Sequence, residues 1–442
     1  MGRRLGAMRK HVTSWGRLVE SEHALVEPTF LDQARGALTE RGLILGFGMG
    51  RSYGDVCLNA GGRLLRTRSL DRLISADWTT GIVRAEAGLT FDALLRLAVP
   101  RGWFMPVVPG TKFVTLAGAV ANDIHGKNHE IAGTLGCTIR RLGLAQSSGA
   151  VLELAPDQNG ELFAATIGGL GLTGIILWVE LALVPISTTS IHTETLELAD
   201  LDAFFRVSEE SRAWDFTVAW VDCLAKGAAV GRGLFMRGRW HEGGKGAALK
   251  PHGAPRLGVP FDAPSWLLNS TTVRLFNKAY RARPWALGSR TVQYDQFFFP
   301  LDGVAGWNRL YGPNGFFQHQ CVVPIVSAPS AVRRLLDLTA AYGQGSFLVV
   351  LKMFGDRPSP GVLSFPRPGA TLALDLPNRG ESTRRLLEDM TNVVMEAGGR
   401  LYPAKDATMS AAAFRSGFPE WQKVENLRDP NIMSDFWRRV AA

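Results

Sequence analysis

From Pro109 to Glu130 the chain reads PGTKFVTLAGAVANDIHGKNHE, and from Gly46 to Asp55 it reads GFGMGRSYGD. Glycines at this spacing allow backbone conformations closed to other residues, and their N–H groups can be turned toward a phosphate-bearing ligand. The first tract does not match GxGxxG, and polar and turn residues follow it rather than a helical apolar stripe, so a Rossmann fold is disfavoured. In the second tract the small residues from Ala117 to Ala121 leave room for a flat ring against the backbone. The polar cluster Asp123, His125, Lys127, Asn128 and His129 follows at once and supplies groups suited to a reaction centre. Taken singly, each tract also fits a tight turn or a small-residue packing seam.

The bulk properties narrow the class. At 442 residues, with 46% hydrophobic and 20% charged residues, the chain suits two globular domains with substantial interiors. A formal charge of +9 favours anionic partners. The basic residues are spread along the chain and form no zinc-finger or RNA-recognition signature, so a phosphate-carrying small ligand is expected rather than nucleic acid. Cys57, Cys137, Cys223 and Cys321 lie far apart without a CxxC pair or a histidine at metal-ligand spacing, which predicts reduced thiols and no metal site. The basic amino terminus lacks the apolar stretch of a secretory signal. Ile167 to Ile186, the one tract that resembles a membrane span in hydropathy, carries Glu180 and Pro185 and reads as a buried strand, so no transmembrane helix is expected.

Along the chain the texture is α+β. Phe30 to Arg41 and Phe91 to Ala98 have helical spacing, and Leu43 to Leu45 and Ile82 to Ala87 read as strands. Beyond Pro185, aromatic and β-branched segments alternate: Phe216–Val221, Thr291–Phe299, Phe316–Ile325, Ser346–Phe354 and Thr371–Leu376. Such segments suit a large antiparallel sheet with one face packed and the other lining a pocket. Arg237 to Ser265 is rich in Gly, Pro and basic residues and reads as a long loop. The adjoining stretch with Trp266, Leu267, Leu268, Phe276, Tyr280, Arg281, Arg283 and Trp285 fits a packed helix or a lipid-contacting one.

In order along the chain, GMGRSYGD, PGTKFVTLAGAVANDIHGKNHE, GGLGLTGII, FFQHQCVVP, FLVVLKMFG and RLYPAKD resemble the decaprenylphosphoryl-β-D-ribose 2′-oxidase family, within the vanillyl-alcohol-oxidase (PCMH-type) class of FAD enzymes. The resemblance implies an FAD-binding domain from residues 1–188 to which 400–442 return. It also implies a substrate domain over 189–399 with a flexible lid around 237–290. It implies FAD contacts from Gly48, Met49, Gly50, Arg51, Ser52, Tyr53, Gly54 and Asp55, and from Gly110, Thr115, Leu116, Ala117 and Gly118. Asn122, Asp123, Ile124, His125, Ile176 and Tyr402 complete that set. With no histidine between Gly46 and Asp55, non-covalent FAD is expected.

By the same comparison Lys405 sits near the flavin, where a cation favours the electron-rich reduced ring. Tyr53, His125, Lys127, Gln320 and Lys352 match a sugar-phosphate pocket, and Trp220 an aromatic on its wall. His125 and Tyr53 are the candidate acceptors of the hydroxyl proton. Ala373 stands where the family carries a cysteine attacked by nitroaromatic inhibitors, and Thr371 where an asparagine is usual. The implied reaction oxidises the 2-hydroxyl of a polyprenyl-phosphoryl-β-D-ribose to a ketone. Oxygen or a quinone would serve as acceptor, and a separate NADH-dependent reductase would complete epimerisation to the arabinose donor for cell-wall arabinan. The implied location is cytoplasmic or peripheral at the inner membrane. A soluble aldonolactone (D-arabinono-1,4-lactone type) or alditol oxidase, and a catalytically silent FAD-containing scaffold, are the other readings.

Overall fold

The computed structural model describes residues 8–242, 248–255, 257–282 and 287–441. A four-stranded sheet runs in the spatial order Met8–Thr13, Glu20–Val26, Arg63–Arg66, Ile44–Phe47. Arg63–Arg66 is parallel to both of its neighbours, which requires a crossover between Val26 and Ile44. The Leu31–Thr39 helix provides it and buries Ala34, Ala37 and Leu38. A five-stranded antiparallel sheet follows in the order Leu73–Asp77, Ile82–Glu86, Ile175–Ala182, Ile139–Ala145, Val151–Leu154.

The first glycine tract leaves the end of the Ile44–Phe47 strand as a loop, and the carboxyl-terminal segment closes over it. A Cβ on Gly54 would stand 1.7 Å from the Asp406 carbonyl oxygen, so a side chain at that position is sterically excluded. Tyr53 N–H donates to the Ala404 carbonyl at 3.0 Å, and Arg439 forks onto Asp55 and reaches Asp406. Ile44 N–H donates to Asn431 O at 2.8 Å. The tail is therefore part of the wall around this loop.

An eight-stranded antiparallel sheet occupies the centre of the chain, in the order Gly288–Gln293, Ser190–Leu198, Gly233–Trp240, Phe216–Val221, Val349–Phe354, Gly369–Pro377, Phe316–Val323, Arg400–Leu401. Cys321, Leu372, Leu374 and Leu351 belong to the apolar core that also holds Val332, Leu335 and Leu336 of the Ala328–Ala341 helix and Leu386, Met390 and Val394 of the Glu381–Glu396 helix. Strand alternation turns their neighbours Gln318, Gln320, Lys352 and Ala373 the other way.

Two segments differ from the sequence reading. Tyr294–Phe298 is helical rather than extended, because a helical turn lets Tyr294, Phe297 and Phe298 enter one aromatic cluster with Phe104 and Phe216. Arg237–Trp240 is not loop but the end of the Gly233–Trp240 strand, paired in register with Ile191–Glu194. Within the expected lid, Ser270–Arg281 is a helix capped by Asn269, whereas Arg283 and Trp285 lie outside the described residues. No described helix is long and apolar enough to cross a membrane, and the Ile167–Ile186 tract supplies the Ile175–Ala182 strand.

Candidate active site

A cavity of about 570 Å³ opens between the two glycine tracts and the polar face of the eight-stranded sheet. The sheet register builds its floor in rows: Gln320 pairs with Ala373 and Ala373 with Val350, while Lys352 pairs with Thr371 one step along and Gln318 with Asp375 one step back. Gly48 to Tyr53 line it from one side, and Gly110, Thr115, Ala117, Gly118, Asn122, Ile124, His125 and Lys127 from another. Ile176, Tyr402 and Lys405 complete the wall. Two tracts some sixty residues apart thus converge on one space.

His125 sits at the junction of these walls. Its Nδ1 lies 2.9 Å from Lys352 Nζ and its Nε2 3.2 Å from the Gln320 amide, so both ring nitrogens are held. Burial, then the nearby Lys352, pushes its pKa well below the ordinary histidine range, and the ring is neutral. Lys352 also donates to the Gly126 carbonyl at 2.6 Å. Lys127 donates to the Phe297 carbonyl and lies over the Phe297 ring, 4.6 Å from its centroid. Burial lowers both lysines to about 7, and Lys352 additionally feels Lys127. Two amines poised near neutrality in a buried cleft make a site that gains charge when an anion arrives.

Lys405 lines the same cavity. Its Nζ stands 3.9 Å from the Tyr53 ring centroid, and burial lowers its pKa to about 8 against the opposing field of Asp375. Tyr53 is fully enclosed, and desolvation followed by Asp375 drives its pKa well above 10, so the phenol keeps its proton. Gln318, whose amide donates to Asp375, lines the cavity beside them.

The cavity fits a dinucleotide carrying a flat ring. Thr115 caps the Leu116–Ala121 helix by accepting from Gly118 N–H at 3.1 Å, and a Cβ on Gly48 would meet Thr115 Oγ1 at 2.5 Å, so the two tracts touch only because glycine is present. Asn122 Oδ1 is buried at this wall without a protein partner, an acceptor awaiting a donor. Arg51 lies 3.9 Å over the Trp15 ring and donates to the Phe113 carbonyl at 3.2 Å, which fixes the loop entrance. FAD fits these features, and the glycine tracts and Asn122 would hold it. Among the described residues no cluster of His, Cys, Asp or Glu is arranged to hold a metal ion.

Several expected residues do not line the cavity. Gly54 and Asp55 turn to the carboxyl-terminal tail, and Leu116 is wholly buried in the core. Asp123, at φ 39°, accepts from Gly136 N–H and from the Ser359 and Ser364 hydroxyls, holding the backbone rather than facing the space. Thr371 accepts from Gln320 at 3.4 Å. Trp220 packs on Tyr280 and donates to the Phe347 carbonyl at 3.0 Å; Val218 takes the wall position on that strand. His129 is buried against Phe354.

Sequence reasoning missed the stretch from Pro300 to Trp307, which closes another side. Lys112 anchors it: its backbone N–H donates to Asp302 at 2.8 Å and its ammonium to Asp295 at 2.8 Å. Lys112 lies inside the PGTKF tract, a buried lysine that could have pointed there, but nothing local marks Asp302.

Comparison with known proteins agrees with this geometry. A family model for an FAD binding domain matches residues 35–155. The chain is 33% identical to decaprenylphosphoryl-β-D-ribose oxidase of Mycolicibacterium smegmatis over 98% of its own length and 97% of that protein. It is 28% identical to L-gulono-1,4-lactone dehydrogenase of Mycobacterium tuberculosis over 97% of its length and 98% of the relative. A D-arabinono-1,4-lactone oxidase of Yarrowia lipolytica matches 34% of the chain and 31% of that protein at 30% identity. With near-complete coverage at one-third identity and a site shaped for its cofactor, the chain belongs to the decaprenylphosphoryl-β-D-ribose oxidase family of FAD-dependent oxidoreductases.

Proposed function

We propose that this enzyme oxidises the 2-hydroxyl of a polyprenyl-phosphoryl-β-D-ribose to a ketone. One observation carries the reading: Lys127, half-buried at the end of the second glycine tract, and Lys352, buried on the sheet floor, are two amines near neutrality that line one cavity with Gln320. A neutral lactone offers such a pair only uncharged hydrogen-bond acceptors, whereas a phosphodiester gives it a charge to meet. FAD, when bound, supplies the two-electron acceptor.

The chain's own groups have separable tasks. Lys127 carries the charge toward the phosphate, and Gln320 both donates to and accepts from sugar hydroxyls. Lys352, lowered to about 7 by burial and then by Lys127, accepts a hydrogen bond from Nδ1–H in its neutral form. His125 receives the hydroxyl proton at Nε2 when a sugar hydroxyl takes the place of the Gln320 amide there. Tyr53 retains its proton and donates. Lys405 places positive charge where the reduced flavin needs it. In domain terms, residues 1–188 with 400–442 hold the cofactor and 189–399 the sugar.

A lipid-linked substrate requires access to a bilayer. The Ser270–Arg281 helix and the turn before it support peripheral contact, since Trp266 is 72% and Leu275 69% exposed beside the exposed Arg274 and Lys278. Oxygen or a membrane quinone would reoxidise the flavin, and an NADH-dependent ketone reductase would consume the product.

Turnover of the purified enzyme with farnesyl-phosphoryl ribose and with arabinonolactone tests the proposal. Oxidation of the phosphorylated sugar is expected; activity on the lactone alone would replace it with the aldonolactone reading. If the yellow protein keeps its colour anaerobically with every sugar, it is a silent scaffold.

A further inference from the structure

Asp375 is an ionisable group without an assigned task, at the edge of the cavity floor and with no exposed surface. A buried carboxylate offers about four acceptor positions and demands a counter-charge. Here the Gln318 amide donates to Oδ1, and the Tyr311 hydroxyl donates to Oδ2 at 3.5 Å. Tyr311 stacks on Phe316 at 4.0 Å, Phe316 meets Tyr53 edge-on at 5.3 Å, and Tyr53 carries Lys405 on its face. These three rings form one aromatic cluster that joins the carboxylate's surroundings to the ammonium's. Each group acts on the other: Lys405 pulls the Asp375 carboxyl down, and Asp375 pulls the Lys405 amine up, each against its own burial.

We propose that Asp375 is a positioning residue: it keeps Lys405 a cation inside the cavity and, by engaging the Gln318 N–H, turns the Gln318 carbonyl oxygen to the sugar as an acceptor. The role of Lys405 in this assignment rests on the flavin–sugar reading of the site, but the pairing itself does not. The groups facing the pair are Tyr53 from the glycine loop, Tyr311 from the turn before the Phe316–Val323 strand, and His125, whose pKa Lys405 lowers. Arg51 also acts on Tyr53, drawing its pKa down against burial. Both tyrosines keep their protons through the neutral range, and His125 is uncharged. That leaves Asp375 as the carboxylate whose field reaches Lys405.

The test uses full-length, FAD-loaded protein carrying ¹³C-labelled lysine. The Lys405 signal is assigned by its loss in Lys405→Arg and followed through a pH titration by heteronuclear NMR. In Asp375→Asn the Lys405 midpoint is expected to fall by about one pH unit or more. The high-pH limb of kcat/KM should fall with it, and Asp375→Glu should restore both. An Asp375→Asn midpoint equal to that of the parent enzyme overturns the assignment.

If Asp375→Asn does not fold, Lys405→Met gives the reciprocal reading. The Asp375 carboxyl, followed by ¹³C, should then titrate at higher pH than in the parent, and an unchanged carboxyl midpoint rejects the pairing. An enzyme that shows the Lys405 shift yet oxidises no phosphorylated ribose would retain the pair and lose the substrate reading. Sugar oxidation with an unmoved Lys405 would do the reverse.

Discussion

Lys352 Nζ lies 2.9 Å from His125 Nδ1, so the charge on the lysine decides which nitrogen of the imidazole carries the proton. A protonated Lys352 donates to Nδ1 and forces the hydrogen onto Nε2; a neutral Lys352 accepts from Nδ1 and leaves Nε2 with a lone pair. Only the second state can take a proton from a sugar hydroxyl. Burial sets the changeover at about 7 for Lys352, and Lys405 loses its own proton at about 8. The expected kcat/KM profile rises as pH increases through about 7 and falls through about 8. In Lys352→Met the low-pH limb should disappear with a lower plateau, and an intact limb in that variant would reject the coupling.

Lys127 has a distinct signature. With its pKa lowered to about 7, it is half neutral in the free enzyme and becomes fully charged when a phosphate binds, so binding takes up a proton. Titration calorimetry above pH 7 in buffers of different ionisation enthalpy should register that uptake with the phosphorylated substrate and none with a lactone. Losing a charge-assisted hydrogen bond worth about 1.5–3 kcal/mol, Lys127→Met should raise KM roughly ten- to a hundredfold and change kcat little. Stability moves the other way. Folding at pH 7 to 10 expels the Lys127 proton, so the parent should lose stability relative to Lys127→Met as pH falls through that window, measured by thermal melts.

Gly54→Ala should be severe. The added methyl carbon falls 1.7 Å from the Asp406 carbonyl oxygen, and backbone on both sides must move. A loss of about 2–4 kcal/mol is expected, with FAD dissociating as the protein is diluted. A variant as stable and as yellow as the parent would show that the tail does not close on this loop.

Ala373 lines the cavity and is 9% exposed, in register with Gln320. Because it has no thiol, nitroaromatic compounds that label the family's cysteine should leave this enzyme unmodified. Ala373→Cys should gain a covalent adduct on that residue during turnover. Intact-mass measurement checks both halves.

The flavin should come away with acid. Cys57 reaches the cavity, but burial raises its thiol to about 12, leaving it protonated and a poor nucleophile. Both nitrogens of His125 are held by other side chains. Precipitation in trichloroacetic acid should give a yellow supernatant and a colourless pellet; colour in the pellet would mean a tether.

Much of this was legible in the sequence where periodicity is local. The Phe91–Ala98 helix and the Phe216–Val221 strand occur as their spacing predicts. The glycine tracts were readable because glycine is needed wherever two backbones approach, as at Gly48 against Thr115. What stayed hidden depends on pairing across the fold. Nothing near Asp302 announces that it will meet Lys112, and Asp375 becomes notable only when Tyr311, Gln318 and Lys405 enclose it. Tyr294 to Phe298 misled because its aromatics suit a strand locally, whereas a helical turn satisfies the core. Trp220 misled in the other direction: its identity is apt for a pocket wall, but its indole N–H is already engaged by Phe347.

The contact between Arg439 and Asp55 spans 384 positions of the chain, and Tyr53 needs Ala404 for its backbone partner. A polypeptide emerging from the ribosome therefore makes its first glycine loop long before it makes the residues that brace that loop. Cofactor capture is expected to wait for residues 404–439 and to be governed by slow long-distance closure. Cells producing this enzyme with scarce riboflavin should accumulate full-length chains whose ends have not joined, and those chains should be the ones proteases cut.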